Sequence, residues 1–208
     1  MKACLKRIIV NELLDYAHSK GITSFKGLKA EKYHELRQRY SKLPSHYIYT
    51  ACQMACSIYK SFRKLKRKGK IKSDKPMFKK DVIMLDDHLF KLDLENWTVK
   101  ISTPNGGAKF KLLYRKYHGK FRDWKIGQAW LVKRDDKIYL NVVFSKSVEI
   151  RDYREVIGVD VNENNVTTCL LYISNKLSST SPLSLNLVVS LTISNRLLDT
   201  FYHLLLFI

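Results

Sequence analysis

Acidic residues are scarce in this chain: 19 Asp and Glu stand against 38 Lys and Arg in 208 residues, a net charge of +19. Glycine (8) and proline (4) are also few, which excludes a collagenous or low-complexity chain. The four cysteines, Cys4, Cys52, Cys56 and Cys169, fall at unrelated spacings and make no disulfide framework. A reducing, cytoplasmic setting is therefore expected. Residues 1–10 lack the apolar run and small-residue cleavage site of a secretory signal. No uncharged apolar stretch has the length of a membrane span. What is present is apolar material enough for a core, 45% of the chain, so wholesale disorder is excluded. The length fits one large domain or two small ones.

The charge is unevenly spread. Residues 1–150 hold 34 Lys and Arg and 14 Asp and Glu, a net +20, whereas residues 151–208 hold 4 and 5, a net −1. A body with that excess repels itself unless it meets a polyanion. Nucleic acid is the expected partner, with a phosphate-rich membrane surface as the alternative.

Hydrophobic spacing divides the chain. Leu5, Ile9, Leu13 and Tyr16 predict a first helix over residues 5–19, stopped by Gly21. A second is expected from Lys29 to Tyr40. In the third, with Ser45 as N-cap, Ile48, Ala51, Ala55, Ile58, Phe62 and Leu65 form an apolar stripe over five turns. From Asp81 to Ile150 six short strands are expected, with Thr103–Gly107 and Asp135-Asp136 as turns. Two further strands follow around Val156–Val161 and Val166–Ile173. Helices first and strands second give an α+β chain: a helical lobe with a basic linker (1–80), an antiparallel β-sheet or small barrel (81–150) and a third piece (151–176). Residues 177–208, with ten Leu and six Ser, have poor periodicity and read as an anomalous tail, or as a short amphipathic membrane anchor.

The densest chemical feature is KSFRKLKRKGKIKSDKPMFKK, residues 60–80. Eleven of its 21 positions are cationic: Lys60, Arg63, Lys64, Lys66, Arg67, Lys68, Lys70, Lys72, Lys75, Lys79 and Lys80. Such a run binds phosphate backbones by releasing counterions. Tyr59, Phe62 and Phe78 are expected to stack on exposed bases beside it. Asp160 ends an apolar strand, where nucleases of the ribonuclease H type place a metal-binding carboxylate. A hairpin Asp that caps its own turn is the equal alternative. Glu163 reads as turn surface. Cys52 and Cys56 share a helix face near His46, but small apolar packing explains them better than metal binding. No phosphate-cradling glycine loop is present, and no small-molecule substrate is expected.

Five stretches in order, LPSHYIYTACQMACSIYKSFRKLKRKGK (43–70), KPMFKK (75–80), VKIST (99–103), WKIGQAWLVKRDDKIYLNVVFSK (124–146) and VIGVDVNENNVTT (156–168), resemble the transposon-encoded TnpB (OrfB) family. These are RNA-guided DNA endonucleases related to compact type V CRISPR effectors. The resemblance implies a helical recognition lobe, a wedge-like β-barrel and the first hairpin of a RuvC nuclease domain. It puts Asp160 on the first catalytic, Mg²⁺-binding carboxylate. Asn162 stands where that family commonly has Gly, and the family's other carboxylates and zinc element lie beyond this chain. The expectation is then a truncated copy that binds guide-type RNA and DNA, with an incomplete site, no functional metal and no cleavage on its own. A non-enzymatic RNA- or DNA-binding module is the alternative reading, and a basic peripheral membrane protein a remote one.

Overall fold

The computed structural model describes residues 5–134, 137–148, 155–161, 166–172 and 183–193. Three helices come first: α1 (Leu5–Lys20), α2 (Phe25–Arg39) and α3 (Ser45–Arg67). Helix α1 buries Leu5, Ile9, Val10, Leu13, Leu14 and Ala17. Its end is a Schellman turn: Gly21 takes φ +67, its N–H reaches the His18 carbonyl, and the Ile22 N–H reaches that of Ala17. Helix α2 begins four residues before the expected Lys29. The Ser24 hydroxyl accepts the Gly27 N–H at 3.0 Å, and this cap starts the helix where propensity is weak. At α3, Pro44 and not Ser45 holds the N-cap position, and no side chain caps the helix.

The strands are β1 (Val82–Leu85), β2 (Phe90–Asp93), β3 (Thr98–Thr103), β4 (Gly106–Leu113), β5 (Lys125–Arg134), β6 (Lys137–Val148), β7 (Glu155–Val161), β8 (Val166–Tyr172) and β9 (Leu183–Ile193). A 3-10 helix, Lys116–Phe121, joins β4 to β5. The β3–β4 hairpin turns at Pro104-Asn105, where Thr103 pairs with Gly106. Gly106 has φ +105, which an L side chain rarely tolerates. Asp135 and Asp136 lie outside the described residues.

Seven strands form one sheet in the order β1-β5-β6-β9-β4-β3-β2. It is open, and the barrel expected from the sequence is corrected. The consecutive strands β1 and β2 occupy opposite ends of the order and pair with β5 and β3, not with each other. The stretch read as an anomalous tail supplies a strand of that sheet. Strand β9 sits between β6 and β4, with Val189 and Leu191 buried.

Strands β7 and β8 form a separate antiparallel hairpin, from Glu155 opposite Tyr172 to Val161 opposite Val166. It belongs to a second compact unit, within residues 145–186. Two strands are a motif of many folds, so this hairpin does not by itself make the start of a RuvC sheet. Asn162 and Glu163 fall outside the described residues.

The core of the first unit gathers Leu13, Leu14, Leu28 and Leu36 with Ile48, Ile83, Leu85, Ile101 and Phe144. Helix α3 packs on α1, α2 and β1. Lys6 is buried there and donates from its ammonium to the Thr50 hydroxyl and the Met84 carbonyl, which joins α1 to α3 and β1. Among the described residues no helix is long and apolar enough to cross a membrane.

Candidate nucleic-acid interface

The apolar stripe of α3 is not quite the one the spacing predicts. Ile48, Ala51, Ala55 and Phe62 are buried, but Ile58 is half-buried and Leu65 is 38% exposed. Cys52, Cys56 and Tyr59 take their place against the core. Residues 63–70 are all exposed, so the helix runs on past its packing partners. With no apolar contact to satisfy, that last turn and a half is free to be basic. Cations at a helix C-terminus are also favoured by the helix dipole.

The chain then doubles back. Gly69 takes φ +66, and the Lys70 N–H bonds the Leu65 carbonyl at 3.0 Å. The Lys66 ammonium donates to the Ser73 carbonyl (2.9 Å) and pairs with Asp74 (3.0 Å), so the returning segment lies beside the end of α3. From there it follows α1 toward its N-terminus. Lys75 lies 3.6 Å from Asp15, Asn11 bonds the backbone of Phe78, and Arg7 donates to the Lys79 carbonyl and pairs with Asp81 at 3.1 Å. Asp15, Asn11 and Arg7 are spaced by four and share one stripe of α1. The basic segment is therefore fixed in place by one helix face.

Every one of the eleven cations named from the sequence is exposed: Lys60, Arg63, Lys64, Lys66, Arg67, Lys68, Lys70, Lys72, Lys75, Lys79 and Lys80. Lys66 and Lys75 meet carboxylates, and among the described residues the others form no ion pair. The hydrogen bond and charge of Lys66 hold the Asp74 carboxyl below its usual range, so that single acid stays ionised within the run. The result is a surface where like charges stand together in water. It gains from any polyanion that replaces their condensed counterions.

The aromatic half of the expectation is corrected. Tyr59 and Phe62 are buried, and Phe78 is half-buried against the core. Their rings serve packing: His18 meets the edges of both Tyr59 and Phe62. Tyr59 and Phe62 are therefore not free to stack on bases. Cys52 and Cys56 are also buried as free thiols, and burial pushes Cys52 up to about 12. A protonated thiol is a poor metal ligand. Asp160 sits on β7, its backbone opposite Thr167.

The structure brings together three residues that the sequence did not group. His46, at the start of α3, meets Asp86 and His88, which follow β1. The run Asp86-Asp87-His88 was visible in the chain, but its third partner lies 40 residues earlier and only the packing of α3 on β1 supplies it.

Comparison with known proteins agrees on a relationship and gives no activity. Residues 4–102, from α1 to β3, match the family described as the uncharacterized protein MJ0013 family. The uncharacterized protein MJ0857 of Methanocaldococcus jannaschii is 29% identical, over 76% of this chain and 66% of that protein. The chain thus spans 66% of the length of that relative. The resemblance to TnpB (OrfB) nucleases does not stand: these matches are to uncharacterized proteins, and no transposase family supports it. The stretches that carried it are a basic helix end and alternating strands, which unrelated basic α+β chains share.

Proposed function

We propose that this chain binds nucleic acid through the phosphate backbone, with the end of α3 and the segment lying along α1 as the contact surface. One observation carries the reading: eleven cations within 21 residues are all exposed, six at the end of α3 and five on the returning segment that Arg7, Asn11 and Asp15 fix along α1. Phosphate contacts position a nucleic acid and carry no sequence information. The buried state of Tyr59 and Phe62 removes the stacking that would favour single strands. Binding is therefore expected to be sequence-tolerant and to include duplexes.

The test is anisotropy with labelled duplex DNA and structured RNA across a range of salt, from about 50 to about 200 mM. Affinity should fall steeply and alike for unrelated sequences. Affinity that does not change with salt would overturn the reading. Binding to anionic vesicles but not to nucleic acid would replace it with a membrane surface.

A further inference from the structure

We propose that His46, Asp86 and His88 form a binding site for a divalent first-row transition-metal ion such as Zn²⁺. Each residue offers one donor atom, and the three donors lie within 4.8 Å of one another. Ligands on a tetrahedral zinc at about 2.0–2.1 Å stand roughly 3–3.5 Å apart, so small side-chain rotations bring all three onto one ion.

The surroundings fit a metal more closely than a chance contact. Asp86 is 8% exposed, and a buried carboxylate is costly without cationic or hydrogen-bonding partners. Its two oxygens already face the site's other members: Oδ2 lies 2.6 Å from His46 Nδ1, and Oδ1 accepts the His88 backbone N–H at 3.2 Å. The two imidazoles stack, with centroids 3.9 Å apart and planes 17° apart, which keeps both rings together at the cleft. His88 Nδ1 lies 3.0 Å from the Asp87 carboxylate. A carboxylate on one ring nitrogen orients the imidazole and makes the other nitrogen a better donor, as outer partners of metal-bound histidines do. That leaves His88 Nε2 for the ion.

The site is not closed. His46, Asp86, Asp87 and His88 line a cleft of about 350 Å³ with Tyr49 and Gln53. Gln53 Oε1 is buried and has no hydrogen-bond partner among the described residues. An amide oxygen in that position can accept a hydrogen bond from a water on the metal. Two imidazoles and one carboxylate with an open position facing a cleft are the ligand set of a reactive centre more than of a structural one. The donors also choose the metal: Mg²⁺ prefers an all-oxygen shell with several waters, whereas imidazole suits zinc and its neighbours.

The experiment is calorimetric titration of the full chain with ZnCl₂, followed by Co²⁺, whose visible absorption reports nitrogen ligation. One ion per chain should bind, and a large excess of Mg²⁺ should not displace it. Asp87→Asn should weaken binding about 10–100-fold, as the loss of an outer partner does. His88→Ala should weaken it further; His88 is largely exposed, so this variant keeps the fold, which circular dichroism checks. His34→Ala, on the outer side of α2, should leave the affinity as it is. Unchanged zinc affinity in His88→Ala and His46→Ala, or equal loss in His34→Ala, would overturn the site. Nucleic-acid binding measured on the same variants separates this result from that of the basic surface.

Discussion

Asn11 and Phe78 exchange two hydrogen bonds across 67 residues: the Asn11 amide donates to the Phe78 carbonyl at 3.0 Å, and the Phe78 N–H donates to Asn11 Oδ1 at 2.8 Å. One side-chain amide thus pairs both backbone groups of one residue as a neighbouring strand would. It holds the basic segment on α1 at a point where the backbone is partly shielded from water. Asn11→Ala leaves both Phe78 groups without a partner, and a loss of about 1–3 kcal/mol is expected. Hydrogen exchange should show faster exchange at Phe78 and its neighbours. Protection at Phe78 equal to that of the parent would refute the pairing.

Phosphate contact by the surface cations has a numerical signature. If about six phosphates of a duplex are neutralised, log K should fall against log salt with a slope of about −5. Replacing Arg63, Lys64, Arg67 and Lys68 by Ala should weaken binding to every sequence alike. It should also flatten the slope by about 1 for each contact removed. A slope that stays the same in the fourfold variant would move the contact surface elsewhere.

The place of β9 in the sheet can be read from stability. Leu191 is 1% exposed, and Leu191→Ala should cost about 2–5 kcal/mol in urea unfolding, the range for truncating a buried leucine. A cost under about 0.5 kcal/mol, typical of surface positions, would exclude β9 from the core.

His118 makes stability depend on pH. It is 5% exposed, and its Nδ1 accepts the Arg115 backbone N–H at 2.8 Å, which requires the neutral ring. Burial, aided by the Arg115 charge, lowers its pKa from 6.5. The unfolded chain therefore binds the proton more readily than the folded one. The contribution to stability is fully present above pH 6.5 and is lost as pH falls through the lower folded value. Denaturation midpoints should fall from pH 7.5 to about pH 5. His118→Gln should show a shallower decline, and an identical profile would count against the assignment.

The Cys52 thiol, pushed up to about 12 by burial, should resist alkylation at about pH 8 in the folded chain and react once denaturant is added. Rapid labelling under native conditions would show that the α3 face opens.

The order of three helices before the strands was legible because each element carries its own period. The apolar repeat of α3 and the alternation of β5 and β6 need no distant partner to be recognised. The basic run was legible for the same reason, since charge density is a local property of the chain. The start of α2 was missed because a single hydroxyl, that of Ser24, sets it against a weak helix former, Gly27. Strand β9 does carry its own period: Leu183, Leu185, Leu187, Val189, Leu191 and Ile193 alternate with Ser184, Asn186, Ser190 and Thr192 between Ser181-Pro182 and Ser194-Asn195. It was missed because the Leu- and Ser-rich composition of residues 177–208 hid that alternation. Its neighbours β6 and β4 fix its place in the sheet.

The amino-acid order by itself determined which residues are apolar at helical or strand spacing, and where positive charge accumulates. Those are near-neighbour quantities. The tertiary structure alone decided that Tyr59, outside the apolar stripe read from the spacing, faces the core and not a ligand. It alone folded residues 70–80 back along the Arg7, Asn11 and Asp15 stripe, and it alone brought His46 to Asp86 and His88. Each of these depends on contacts between residues far apart in the chain, and no local pattern encodes which distant partner will be there.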